Sequence, residues 1–153
     1  MESTFYFPKH INLNNKPLAE AWLEVTWGNR GSQLESIDRE FPFALGLFAS
    51  FIKENFPLRE ALPESQIPDE FLASIVKYRF RPSEGQWPVL QIGPGIATLN
   101  YIQDYTWENF ERNAKYLRDM LLKAYQMQID PTSISLQYRN AIPFDYSKSD
   151  VFS

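Results

Sequence analysis

The strongest constraint in this sequence is the spacing of apolar residues between Thr106 and Met127. Trp107, Phe110, Ala114, Leu117, Leu121 and Ala124 recur at three- and four-residue intervals. That period predicts an amphipathic helix with one apolar stripe. Thr106 suits the N-cap, and Glu108 lies in the first turn beside the positive end of the helix dipole. Asp130-Pro131 ends the pattern. A helix of this kind is stable only when its stripe lies on another apolar surface, so the rest of the chain must supply one.

That surface reads as a sheet. Leu18 to Trp27 alternates at period two, with Ala19, Ala21, Leu23, Val25 and Trp27 opposite Glu20, Trp22, Glu24 and Thr26. Gly28-Asn29-Arg30-Gly31 follows as a turn. Ile75 to Arg81, Val89 to Gly93 and Ile96 to Ile102 read as an antiparallel meander, with short turns at Ser83-Glu84-Gly85 and Pro94-Gly95. Ile134 to Ile142 is a last strand, with Ile134, Leu136, Tyr138, Asn140 and Ile142 on one face. A second helix is expected from Phe41 to Phe56, started by Pro42. Phe43, Leu47 and Phe51 widen its stripe, so it should be buried on more than one side or meet a partner. Pro57, Pro63 and Pro68 exclude long regular structure up to Asp69.

The expected order is β-α-β-β-β-α-β, an α+β fold with one antiparallel sheet and two helices on a single face. The other sheet face is left partly open. Met1 to Lys16 reads as an N-terminal arm, Pro17 to Ile142 as one domain, and Pro143 to Ser153 as a polar tail.

Composition narrows the function classes. A chain of 153 residues supports its own core. Its aromatic share of 16% is large, so either the core is ring-rich or some rings face a partner. The net charge is −4 and no Lys/Arg run forms a basic patch, which argues against nucleic-acid binding. The absence of cysteine excludes disulfides, zinc thiolates and thiol nucleophiles. The first residues have no long apolar core and do not read as a signal peptide. Nor does any stretch reach the roughly 20 apolar residues of a membrane span. A cytoplasmic protein without membrane contact is expected.

Candidate chemistry is sparse. His10 is the only histidine and lies in the arm, away from any orienting carboxylate. A two-histidine metal site is impossible, and Asp145 and Asp150 do not form an acidic cluster. Gly93-Pro94-Gly95 lacks the spacing of a phosphate loop and reads as a hairpin turn. Glu20 and Arg139 sit in otherwise apolar strands. If those strands are neighbours, the two form a cross-strand ion pair, most simply a solvated one. Lys77, Arg79 and Arg81 make a basic strand face, but Tyr78 and Phe80 point the other way, unlike a single-strand nucleic-acid platform.

Several short pieces resemble the sporadically distributed prokaryotic family of uncharacterised proteins. They are Pro17-Leu18-Ala19-Glu20 leading to Val25 and Trp27, Leu90-Gln91-Ile92 followed by Asn100-Tyr101, Trp107 with Phe110, and Tyr138-Arg139-Asn140-Ala141-Ile142. The resemblance implies a longer relative with a further β-rich segment after the Arg-Asn strand, so this chain would be a short member, a truncation or half of an assembly. It implies no catalytic residues. Glu20, Gln91, Asn100, Arg139 and Asn140 match its polar positions.

The resulting expectation is a non-enzymatic protein-interaction or regulatory module that binds a protein partner or self-associates, with no cofactor. A second reading is a small-molecule-binding domain. Glu20, Gln91, Asn100 and Arg139 would be its polar contacts, Trp22 and Tyr101 its walls, and Asn140 a further candidate. An enzyme using carboxylate, tyrosine and arginine groups is a third.

Overall fold

The computed structural model describes residues 17–28, 38–71 and 74–142. The expected arm, with His10, and the expected tail lie outside them, as do Asn29, Arg30 and Gly31 of the first turn. Six strands form one antiparallel sheet. β1 is Leu18–Trp27, β2 Leu58–Ala61, β3 Tyr78–Arg81, β4 Val89–Gly93, β5 Ile96–Tyr101 and β6 Pro131–Asn140. Their spatial order is β2-β3-β4-β5-β1-β6. Helices α1 (Phe41–Ile52) and α2 (Trp107–Ala124) complete an α+β fold in the expected order, with β2 as an additional strand.

Register fixes which side chains share a face. Ala21 lies opposite Tyr101, Leu23 opposite Leu99, and Val25 opposite Ala97. Leu90 and Ile92 continue that face through β4, and Phe80 and Tyr78 through β3. Both helices lie on it. Phe48 of α1 meets Phe80 edge to face at 5.7 Å, Phe110 of α2 meets Tyr101 at 5.8 Å, and Phe56 stacks on Tyr116 of α2 at 6.0 Å. Phe48, Ile52, Phe80, Leu90, Leu99 and Leu117 form the centre of one continuous core.

Of the two alternatives expected for α1, burial on more than one side is not found. Phe41, Ala44, Phe48 and Ile52 face inward, while Phe43 is 75% exposed. It ends at Ile52 rather than Phe56. α2 is capped as expected, the Thr106 hydroxyl accepting from the Asn109 amide at 3.2 Å.

The second sheet face is partly covered at its β3–β4 end. Lys77 is buried and donates to the Ile67 carbonyl and, at 2.5 Å, to Asp69. The expected basic strand face is thereby corrected: Lys77 is spent on its own chain. The Ile75 carbonyl passes so close over Gly93 that a side chain there would collide with it. This packing is why β3 starts at Tyr78, although the alternation begins at Ile75.

Candidate functional site

Of the seven candidate residues, five come to one sheet face. Trp22 pairs with Asn100 on one side and Gln137 on the other, and Glu20 with Arg139. Arg139 Nη1 donates to Glu20 Oε2 at 2.9 Å, and its guanidinium lies 5.4 Å from the Trp22 ring. The cross-strand pair expected from sequence therefore forms, with the arginine 66% exposed. Gln91, with its amide oriented to satisfy its neighbours, accepts from Arg79 Nε at 3.0 Å and donates to the Thr98 hydroxyl at 3.1 Å. Thr98 donates in turn to Asn100 Oδ1 at 2.8 Å. Glu60 of β2 receives Arg81 at 2.8 Å and Arg79 at 3.4 Å. These polar groups are committed to one another in a chain running across the strands.

The other two candidates lie elsewhere. Tyr101 is buried on the helix-covered face, where its hydroxyl accepts from Asn113 at 2.8 Å. Burial pushes its pKa above the usual tyrosine value. Asn140 is exposed at the end of β6, opposite Leu18. The seven do not converge.

What the structure does assemble is an apolar groove between α2 and the β1–β6 half of the sheet. Its volume is about 500 Å³. The floor is Leu23, Val25, Ile134 and Leu136; the α2 wall is Phe110, Ala114, Leu117 and Leu121. Ile129 and Pro131 close one end, and Trp107 stands at the other. Charges stay on the rim, where Lys115 binds Glu111 at 2.7 Å and Arg118 binds Asp119 at the same distance. The groove exists because, among the described strands, β6 is the edge and the helices stop short of it. Ile134 pairs with Val25, Leu136 with Leu23 and Tyr138 with Ala21, so all three belong to the core face. They are nevertheless 67%, 43% and 45% exposed.

An aromatic corner ties the groove to the entry of α2. Tyr138 and Tyr105 share a hydrogen bond between hydroxyls at 3.0 Å, and Tyr105 packs on Tyr101 and Phe110. Burial, then the bond to Tyr138, raises the Tyr105 pKa strongly. A separate hollow of about 420 Å³ borders Trp27, Asp38, Phe43, Leu47 and Tyr125. Of the carboxylates on its border, Asp38 is occupied: its Oδ2 accepts from Trp27 Nε1 at 3.0 Å, the Gly95 amide at 3.1 Å and the Tyr125 hydroxyl at 2.6 Å.

Sequence reasoning placed Ile134, Leu136 and Tyr138 on one face but did not single them out. The available signal was an apolar face on the last strand without a second helix to cover it. Among the described residues, no three His, Cys, Asp or Glu side chains are placed to hold a metal ion, and no helix is long and apolar enough to cross a membrane. Compared with known proteins, the chain matches no family model, no curated protein and no solved structure.

Proposed function

We propose that this chain is a non-enzymatic protein-interaction module of the cytoplasm that receives its partner in the groove between α2 and β6. One observation carries the reading: the core-face residues of β6, Ile134, Leu136 and Tyr138, lie exposed beside a groove lined by apolar residues of α2 and β1. Contiguous apolar exposure of this kind marks interaction surfaces. The lining is almost wholly apolar with charge confined to the rim, the anatomy of a protein interface. A polar metabolite would need convergent donors and acceptors on the floor. The polar groups of the opposite face already satisfy one another.

The test places a photo-crosslinking amino acid at Leu136, on the groove floor, or at Glu84, in the exposed β3–β4 turn. Irradiation in living cells is followed by identification of the adducts by mass. The expected result is a defined protein adduct at position 136 that is absent at position 84. No adduct at 136, or the same adduct at both positions, overturns the reading.

A further inference from the structure

The geometry points to a second copy of this chain as the partner, joined edge to edge through β6 in an antiparallel pair centred on Leu136. This inference rests on the interaction reading above and names its occupant.

The two edges of the sheet are built differently. β2 has four residues, two of them charged, Arg59 and Glu60. Short, charged edges are the usual protection against unwanted strand pairing. β6 has ten residues, and from Thr132 to Tyr138 none is charged. Its one charged residue, Arg139, is held by Glu20 of the same chain. Pro131, at the strand's first position, is its only proline. A long, uncharged, exposed edge is a template for another strand.

Backbone direction can be read from two bonds. The Trp27 amide donates to the Gly95 carbonyl, and the Ala141 amide to the Pro17 carbonyl. In an antiparallel ladder both polar groups of a residue point the same way, and the direction alternates along the strand. The irregularity near Leu18 and Glu20 adds its extra residue to β1, and the one near Thr26 and Trp27 adds Thr132 to β6, so alternation along β6 is unbroken from Ser133 to Asn140. Ser133, Ser135, Gln137 and Arg139 therefore bond to β1. Ile134, Leu136, Tyr138 and Asn140 direct N–H and C=O outward, to the side on which no other described strand lies. Ile134 and Leu136, whose side chains belong to the groove floor, are among these outward-directed residues.

The strand also matches itself. Ile134-Ser135-Leu136-Gln137-Tyr138 reads apolar-polar-apolar-polar-apolar in both directions. Directly opposed residues in an antiparallel pair point to the same face. A twofold axis at Leu136 sets Leu136 against its own copy and Ile134 against the copy's Tyr138. Ser135 then meets Gln137, and Ser133 meets Arg139, with no like charges opposed. Two grooves merge into one apolar trough walled by the two α2 helices. A twofold contact requires such a self-complementary patch.

The test uses the full chain. Sedimentation equilibrium should give twice the chain mass for the native protein. Ile134→Lys, at a solvent-exposed position that leaves the folded chain intact, should give the single mass. Leu136→Pro removes an outward donor and no bond to β1, and should also give the single mass with an unchanged circular dichroism spectrum. The cysteine-free sequence permits a register test. Single cysteines introduced at positions 133 to 139 should form the inter-chain disulfide fastest at 136, because only that position opposes itself. A native monomer at all concentrations, a dimer indifferent to Ile134→Lys, or a fastest disulfide elsewhere overturns the inference. A monomer accompanied by a Leu136 adduct to a different protein removes the second copy and leaves the interaction reading standing. A monomer without any adduct removes both.

Discussion

Tyr125 shows how one buried hydroxyl can set a pH limit on the molecule. It is buried at the end of α2, donates to Asp38 and meets Trp27 edge to face at 5.3 Å. Burial first, and then the adjacent carboxylate, raises its pKa far above the unfolded value of 10.0. Tyr101 and Tyr105 are shifted the same way. A raised folded pKa means that the native state holds protons the unfolded chain has released. Stability is therefore full below pH 10 and falls as pH rises beyond it. Urea unfolding midpoints measured from pH 8 to 11.5 should fall above pH 10, and less steeply in Tyr125→Phe. A flat profile, or an unaltered slope in the variant, contradicts the assignment.

At the scale of elements, the β4–β5 hairpin and its strap carry the tightest constraint. A side chain at Gly93 would meet the Ile75 carbonyl carbon and oxygen and the Val76 Cα, all backbone atoms with little room to yield. Gly93→Ala should therefore cost about 1–3 kcal/mol, the range of overpacking a filled site, read from chemical denaturation. Gly46→Ala, where nothing lies within reach, is the control. Equal midpoints for the two variants would refute the strap's role. The hairpin itself was legible from Pro94-Gly95 between two alternating runs, and the limits of β1 and β4 coincide with those read from alternation. Other boundaries were not, for physical reasons. Ile75 and Lys77 carry the strand pattern but serve as strap and buried tether. β2 is four residues between prolines, too short to show a period; its place depends on Glu60 meeting Arg79 and Arg81 from a distant strand.

Across the whole molecule, coverage of the sheet is uneven. β4 and β5 are central and mostly buried, whereas among the described strands β6 has one neighbour and is exposed along nearly all its length. The apolar face of β6 was visible in the sequence; its exposure was not, because that follows from strand order. Hydrogen exchange should reflect both facts. In the Ile134→Lys monomer, amides at 133, 135 and 137 should be protected by β1, while those at 136 and 138 exchange freely. In the native protein, both sets should be protected. Free exchange at 136 and 138 in the native chain, at concentrations where it sediments as a dimer, would mean that the copies meet by some other surface.

The hydroxyl contact between Tyr138 and Tyr105 joins the margin of the sheet to the corner from which α2 departs. Within one chain, a hydroxyl pair thus fastens the exposed last strand to the segment that leads into α2.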